Sequence, residues 1–220
     1  MHIKQLNFQH HKDAPLFFKD LSFDLEQGKI HALHGKNGTG KTVLLNILGR
    51  KMTPQSILRG EIRNGENIVL VNQRFDQMIA DQFSFTENLQ FACMGRFPTP
   101  FKGLQQPQAY AAFLDKFHID TSLAARQLSG GQRQILALLM VLQRPMDVLL
   151  LDEPTATLDE QNALMVFEFL KTLTQQNLTL LVVCHHQELI NHYATGQHLH
   201  LEIDAQGIRR LRTGAWTHLT

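Results

Sequence analysis

The residue types best suited to chemistry stand together in a glycine-rich stretch at residues 35–42. This stretch matches the pattern G-x-x-x-x-G-K-[ST], and it lies between an apolar run and residues with helical character. Glycines let backbone N–H groups turn inward around a phosphate chain, and a helix that starts there adds the positive end of its dipole. In such a loop Lys41 reaches the β and γ phosphates of a nucleotide, and the Thr42 hydroxyl binds Mg²⁺. The predicted nucleotide-binding residues are Gly35, Lys36, Asn37, Gly38, Thr39, Gly40, Lys41 and Thr42.

A phosphate loop of this kind also needs a carboxylate for its metal ion, and two follow a later apolar run. Residues 148–151 predict a buried strand, and Asp152 and Glu153 come directly after it. Asp152 would hold Mg²⁺, and Glu153 would polarise an attacking water as a general base. Because an acidic pair alone is also common at the start of a helix, this interpretation depends on the phosphate loop.

These groups need a framework, and the pattern of apolar runs predicts one. Short apolar strands alternate with helices, which indicates a mainly parallel sheet covered on both faces. A loosely alternating start and a hairpin pattern at the end flank this core. The predicted strands are 3–8, 21–25, 30–34, 68–71, 148–151, 178–184, 198–203 and 208–211, and the predicted helices are 43–48, 109–117, 131 onward and 160–174.

Composition limits the classes of function. The 220 residues are 43% hydrophobic and 19% charged, so the chain can bury a core, and the net charge of +1 argues against binding nucleic acid through bulk charge. No apolar run reaches the roughly 18 residues of a membrane-spanning helix, and no signal peptide is apparent. Two distant cysteines suit a reducing cytoplasm, and the 12 histidines lack the spacing of a zinc module.

Residues 128–132, which read Leu-Ser-Gly-Gly-Gln, resemble the signature sequence of ATP-binding cassette (ABC) ATPases. Gln73 resembles the Q-loop glutamine of that family, residues 156–159 its D-loop, and His185 its switch histidine. The resemblance implies an α/β fold: a P-loop NTPase (RecA-like) core with an N-terminal antiparallel β subdomain and an inserted helical subdomain. It implies one ABC ATPase domain over 1–220, with the core in 1–75 and 128–220 and the helical subdomain in 76–127.

The signature residues have a physical role of their own. Ser129 precedes a predicted helix, so its hydroxyl can cap that helix while Gly130 and Gly131 expose N–H groups, which makes a second anion site. The family resemblance implies that Ser129, Gly131 and Gln132 close over the γ phosphate bound by another subunit. Two chains would then hold two ATP molecules between them, as a homodimer or a heterodimer.

The resemblance also implies roles near the γ phosphate. Gln73 would contact Mg²⁺ and the attacking water, so the implied metal ligands are Thr42, Gln73 and Asp152. His185 would bind the γ phosphate and orient the water with Glu153. Asp159, in the D-loop, would run along the seam of the dimer.

The chain departs from the family pattern at three places. His186 follows the switch histidine where an acidic residue is usual. The aromatic residue expected to stack on adenine is best matched by His10, with Phe8 and His11 as alternatives. The helix after the signature is apolar at 135–140 where arginines are usual, which predicts a buried helix.

The function that the resemblance implies is hydrolysis of ATP to power an ABC transporter, more typically an importer. An integral membrane subunit would hold the chain on the inner face of the plasma membrane, and a solute-binding protein is a further candidate partner. The alternatives are a soluble ABC ATPase outside transport, such as one in cofactor assembly, and a degenerate nucleotide-binding regulator, against which the intact motifs argue.

The helical segment carries more apolar residues than its short helices can easily bury. At least two of these are predicted to be exposed near Gln73, as a surface for the membrane partner. The residues are Phe75, Met78, Phe83, Phe85, Met94, Phe97 and Phe101.

Overall fold

The structure is a computed structural model that describes residues 1–63, 65, 67–72, 75–94 and 107–214. In these ranges the strands are β1 His2–Gln9, β2 Phe18–Asp24, β3 Ile30–His34, β4 Ile57–Arg63, β5 Ile68–Val71, β6 Val148–Asp152, β7 Thr179–Val183, β8 His198–Ile203 and β9 Arg209–Thr213. The α-helices are α1 Lys41–Leu48, α2 Phe85–Met94, α3 Pro107–Lys116, α4 Gly130–Val141, α5 Glu160–Thr174 and α6 Gln187–Tyr193, and 3₁₀ turns lie at Phe75–Met78 and Ala125–Gln127.

The described strands form one mixed sheet in the order β4-β1-β2-β9-β8-β3-β7-β6-β5. Strands β8, β3, β7, β6 and β5 are parallel to one another, as the alternation of strands and helices predicts. Strand β1 pairs antiparallel with β2 and β4, and β8 pairs antiparallel with β9, which confirms the N-terminal antiparallel region and the C-terminal hairpin. Parallel strands place their carboxyl ends at one edge, so the residues that follow β3, β6 and β7 can meet there.

The chain divides into two compact units. The first comprises residues 1–73, 146–154 and 170–220 and holds the whole described sheet with α1 and α6. Strands β3 and β7 are buried along their full length because they lie inside the sheet; β7 is almost wholly apolar, whereas β3 also buries His31 and His34. The core of this unit joins apolar side chains of the sheet to Leu44, Leu45, Ile47 and Leu48 of α1.

The second unit comprises residues 74–145 and 155–169, and it is helical. Helix α4 packs against α2, and its residues 135–140 are buried, as their apolar sequence predicts. Phe169 of α5 packs against Tyr110 and Phe113 of α3, with ring centroids 5.5 and 5.0 Å apart. Residues 128–145 and 155–169 therefore belong to the same compact unit as the helical segment. The sequence analysis instead assigns them to the nucleotide-binding core, in 128–220.

The polar side chain of Asn88 stabilises the start of the helical unit. It is buried, its amide nitrogen donates to the carbonyl oxygens of Ala80, Phe83 and Ser84, and its oxygen accepts from the Ala80 N–H. Because both the oxygen and the nitrogen of this buried amide have hydrogen-bond partners, the side chain fixes the backbone of residues 80–84 against α2. Among the described helices, none combines the length and the apolar character needed to cross a membrane.

Candidate functional site

The phosphate loop, residues 35–42, lies where the sequence predicts it, after β3 and across the first turn of α1. Gly40 caps α1 with a left-handed backbone (φ +99°), and a Cβ atom there would lie 2.8 Å from the ring of Phe17. Only glycine tolerates both constraints. The Lys41 ammonium lies inside the loop, where it donates to the carbonyl oxygens of Gly35 at 2.8 Å and Lys36 at 3.3 Å. A cation held among inward-turned backbone groups suits a polyphosphate.

Thr42 and Asp152 meet at the carboxyl edge of the parallel strands. The Thr42 hydroxyl donates to Asp152 Oδ2 at 2.8 Å, although 110 residues separate the two in sequence. Burial raises the pKa of the Asp152 carboxyl, the hydrogen bond from Thr42 lowers it, and the charge of Glu153 raises it further. A hydroxyl oxygen beside a carboxylate fits Mg²⁺, which prefers oxygen ligands and keeps places for phosphate and water.

Glu153 and His185 form a second pair at the same edge. His185 Nε2 lies 2.7 Å from Glu153 Oε1, because β6 and β7 are parallel neighbours and both residues follow their ends. Glu153 has a left-handed backbone (φ +55°), which is uncommon for a residue with a side chain and costs about 1 kcal/mol. Such strain persists only where the surrounding structure holds the residue in place, here the N–H of Glu153 bonded to the carbonyl oxygen of Val183 at 2.9 Å. The structure therefore brings together the predicted base and the predicted switch histidine.

His10, the candidate for stacking on adenine, is exposed. It lies beside Phe17, whose ring approaches Gly40 of the phosphate loop. The His10 ring packs edge-on against Phe17 with centroids 4.7 Å apart, and the Arg209 guanidinium lies 4.0 Å from the centre of the Phe17 ring. These residues line a cleft of about 380 Å³. The alternative Phe8 is buried and offers no open face, whereas His11 is exposed. The sequence does not indicate Phe17 and Arg209 as site residues, because their nearness depends on the pairing of β2 with β9.

The signature loop, residues 128–132, leads into α4. Ser129 is the N-cap, its hydroxyl accepts from the Gln132 N–H at 3.2 Å, and the Gln132 side chain accepts from the Ser129 N–H at 3.0 Å. This reciprocal capping box confirms the predicted capping role of Ser129. The expectation that Gly131 exposes its N–H is wrong: Gly131 is buried and its N–H donates to Asn162 Oδ1 at 3.2 Å, whereas Gly130 is exposed.

Asp159, the predicted D-loop residue, lies one position before α5. It accepts from the Asn162 N–H at 2.8 Å and from the Asn162 amide nitrogen at 3.0 and 2.8 Å. The backbone and side-chain hydrogen bonds from Asn162 hold the pKa of this carboxyl below its usual value. Asp159 at the start of a helix is a recognisable cap in sequence, but nothing in the sequence indicates that Asn162 also reaches the signature loop.

Two further predictions concern the rest of the chain. Gln73 lies outside the described residues, as do the side chains of Phe75, Met94, Phe97 and Phe101. Of the apolar residues that can be compared, Met78 is 47% exposed, Phe83 is 44% exposed and Phe85 is fully buried. The exposure of at least two members is confirmed, whereas their nearness to Gln73 stays a prediction. Phe91 on α2, which the sequence analysis did not single out, is 59% exposed.

Three histidines stack where β3 meets β8. His34 Nε2 lies 2.9 Å from His198 Nδ1, and the His34 ring stacks on His198 and His200 with centroids 5.2 and 4.7 Å apart. Burial, helped by the neighbouring His200, His198 and Lys41, lowers the pKa of His34 to about 3. Within the described ranges, no group of three or more His, Cys, Asp or Glu residues could hold a metal ion.

Comparison with known proteins gives one family. A family model described as "ABC transporter" matches residues 18–156. The ribose import ATP-binding protein RbsA of Ruegeria sp. (strain TM1040) is 31% identical over 182 residues, which are 76% of this chain and 35% of that protein. The lipoprotein-releasing system ATP-binding protein LolD of Acinetobacter baylyi (strain ATCC 33305 / BD413 / ADP1) is 30% identical over 207 residues, 83% of this chain and 86% of that protein.

The fold has solved counterparts. CbiO1 from Clostridium perfringens, described as part of the ABC transporter complex cbiONQ, superposes with a TM-score of 0.73 at 20% identity, over 97% of this chain and 87% of that one. At this identity the likeness concerns the fold alone. The chain spans about a third of the length of several curated relatives that it matches, including RbsA, and most of the length of LolD.

Proposed function

The chain belongs to the ABC transporter family of ATPases, and on this premise we propose that it is the ATP-binding and ATP-hydrolysing subunit of a transporter, more specifically of an importer. The observation that carries the proposal is made at the carboxyl edge of the parallel strands. There the Thr42 side chain is hydrogen-bonded to Asp152, and the Glu153 side chain is hydrogen-bonded to His185. Asp152 ends β6, Glu153 and His185 follow β6 and β7, and Thr42 belongs to the phosphate loop that follows β3, so a bound γ phosphate would be held and attacked at the same edge.

Binding rests on residues 35–42. The backbone N–H groups of the loop and the start of α1 would surround the phosphates, and Lys41 would turn its ammonium from the carbonyl oxygen of Gly35 to the β and γ phosphates. Thr42 and Asp152 would hold Mg²⁺, with Gln73 as a further proposed ligand. The ion would neutralise charge that develops on the phosphates.

Hydrolysis needs a base beside the γ phosphate, and Glu153 is that base in our proposal. The water oxygen bonds to the γ phosphorus, the bond between that phosphorus and the bridging oxygen breaks, and a water proton goes to Glu153. His185 holds Glu153 from the other side at 2.7 Å, so it would orient the carboxylate and hydrogen-bond the γ phosphate. Gln73 would contact the attacking water.

A second chain completes the site in this proposal. Ser129 and Gly130 are exposed at the start of α4, where a capped helix end favours an anion. Ser129, Gly130 and Gln132 would close on the ATP held by the other chain, with Gly131 as the buried glycine of the loop, and Asp159 would lie at the seam. We propose a dimer that forms with ATP, whether of two identical chains or of two different cassettes.

The membrane partner is proposed from the relatives and from the exposed apolar side chains. RbsA is named for import and LolD for releasing lipoproteins, so the direction of transport is the finer part of the proposal. Met78 and Phe83 are large, exposed and apolar, which suits a surface that accepts a helix of an integral membrane subunit. Such a partner would hold the chain at the inner face of the plasma membrane, and a solute-binding protein would deliver the cargo.

The proposed activity is tested with one substitution and a matched control. Glu153→Gln keeps the shape of the side chain but removes the proton acceptor, so hydrolysis of Mg-ATP should fall at least about 100-fold while ATP binding persists. Because the product no longer forms, ATP should hold this variant as a dimer in size-exclusion chromatography with light scattering. Glu61→Gln on the exposed strand β4 should leave hydrolysis unchanged.

Hydrolysis by Glu153→Gln at the wild-type rate would remove Glu153 from the role of base. Transport is tested separately by purifying the tagged chain from detergent-treated native membranes. Recovery of a polytopic membrane protein supports the proposal, and its reconstitution into vesicles with external ATP gives the direction of transport. Recovery of water-soluble proteins alone would favour an ABC ATPase outside transport.

A further inference from the structure

Asn162, on the first turn of α5, connects two loops that the sequence analysis treats separately. Its Oδ1 atom accepts from the Ser129 hydroxyl at 3.0 Å and from the Gly131 N–H at 3.2 Å. Its amide nitrogen donates to both carboxylate oxygens of Asp159, at 3.0 and 2.8 Å. One side chain thus joins the signature loop to the D-loop within a single helical unit.

The fit between Asn162 and Gly131 is tight. A Cβ atom on Gly131 would lie 2.5 Å from Asn162 Oδ1, closer than real contacts allow, and 3.0 Å from Asn162 Cβ. A side chain at this position would therefore force Asn162 to move. The approach also turns the Gly131 N–H inward, so Ser129 and Gly130 are the signature residues left exposed.

The chemistry of the amide explains why this residue is asparagine. An amide offers an acceptor oxygen at one end and two donor protons at the other. Here the Asn162 oxygen accepts hydrogen bonds from two groups of the signature loop, and the Asn162 nitrogen donates to the carboxylate of Asp159. Alanine offers neither end, and aspartate keeps the oxygen but places a second negative charge against Asp159.

We propose that Asn162 is a positioning residue that sets the orientation of the signature loop toward the ATP held by a second chain. It acts through Ser129 and Asp159 and touches no substrate itself. Because the Ser129 hydroxyl is held by Gln132 on one side and Asn162 on the other, the loop keeps one conformation before the second chain arrives. The inference rests on the proposed function, in which the signature loop acts across a dimer.

The test measures two quantities separately: ATP binding by a single chain and ATP-dependent dimerisation of two chains. In the Glu153→Gln background, Asn162→Ala should leave the dissociation constant of a fluorescent ATP analogue for the monomer unchanged, because the phosphate loop is untouched. The ATP-dependent dimer should dissociate about ten-fold more readily, which is the loss of roughly one hydrogen bond to a charged group. Gln161→Ala, an exposed neighbour on the same turn, is the matched control and should change neither quantity.

The pH profile of Asn162→Asp adds a readout that a purely structural role would not give. Two carboxyl groups in contact share a proton as the pH falls, since each disfavours the charged form of the other. When the introduced carboxyl group at position 162 is protonated, its O–H can donate to Asp159. Its other oxygen can still accept from the signature loop. Dimerisation of this variant relative to the unsubstituted chain should therefore rise as the pH falls from 8 to 6.

The outcomes distinguish the inference from the function on which it rests. If the Glu153→Gln chain with Asn162 intact forms no dimer with ATP, the proposed dimer function fails. If that chain dimerises and Asn162→Ala dimerises equally well, the inference is overturned. If Asn162→Ala does not fold by circular dichroism, the Asn162→Asp profile decides: a rise at low pH supports the inference and a flat ratio overturns it.

Discussion

The phosphate-loop region and the signature region bring their groups together in different ways. In the first, Asp152 ends β6, Glu153 and His185 follow β6 and β7, and Thr42 lies in the first turn of α1 after β3, so the parallel sheet aligns them. In the second, Ser129 is held by a helix cap and by Asn162, through hydrogen bonds near the surface.

This difference separates a rigid half-site from one that is held by hydrogen bonds near the surface. The backbone that carries the first set of groups can move only if the buried sheet moves with it, so its geometry should survive in an isolated chain. Groups aligned by a few exposed hydrogen bonds depend on a net free energy of about 1 kcal/mol for each bond. We therefore expect substitutions to separate nucleotide binding from assembly, and the predictions below follow from this contrast.

The largest effect is expected in the rigid half-site. Lys41→Ala removes the cation of the phosphate loop and should weaken ATP binding by about 4 kcal/mol, roughly a thousand-fold, without changing the fold. Isothermal titration with ATP measures the loss, and circular dichroism checks the fold. Lys36→Ala, in the same loop but exposed, is a useful contrast and should lose less. Undiminished ATP affinity in Lys41→Ala would refute the assignment of the phosphate loop.

The next effect compares two phenylalanines of the helical unit. Phe85 is fully buried and Phe83 is 44% exposed, although two positions separate them. Phe85→Ala should lower the free energy of unfolding by about 3 kcal/mol because it leaves a cavity, while Phe83→Ala should cost less than about 1 kcal/mol. Urea unfolding monitored by fluorescence measures both. Equal losses in the two variants would mean that Phe83 is part of the core and is no docking surface.

A smaller effect is expected at the start of α4. Ser129→Ala removes the cap and should destabilise the helical unit by about 1 kcal/mol. It should also weaken the ATP-dependent dimer while leaving ATP binding by the monomer intact. Ser129→Thr keeps a hydroxyl and should recover much of both losses. A Ser129→Ala chain that loses monomer ATP binding would contradict the separation of the two regions.

The smallest effect concerns the histidine stack beside the phosphate loop. The folded pKa of His34 is about 3, below the roughly 6.5 of an unfolded chain, so the unfolded state binds a proton that the folded state does not. Stability is unaffected above pH 6.5 and is lost as the pH falls from there toward 3. His34→Gln should reduce the loss of stability between pH 7.5 and about 6.3 by about 0.5 kcal/mol in urea unfolding. An identical pH dependence in both chains would show that folding does not lower the pKa of His34.

The sequence predicted much of the fold because its strongest signals are local. The buried strands β6 and β7 are mostly apolar runs, and the capping role of Ser129 follows from its position before a helix. Strand β4 and helix α6 were missed. Strand β4 alternates poorly and pairs along β1, whereas α6 is a short, mostly polar helix. Neither element carries a signal that stands without its neighbours.

The sequence by itself determined the phosphate loop and the two carboxylates at the end of β6, since those motifs need only a few consecutive residues to create their chemistry. Tertiary structure alone decided which groups touch: Thr42 with Asp152, Glu153 with His185, Phe17 with Gly40, and Gly131 with Asn162. The physical reason is the distance along the chain over which each interaction acts. Backbone donors and caps act within one turn of chain, whereas strand register and helix packing depend on the burial of side chains from the whole unit.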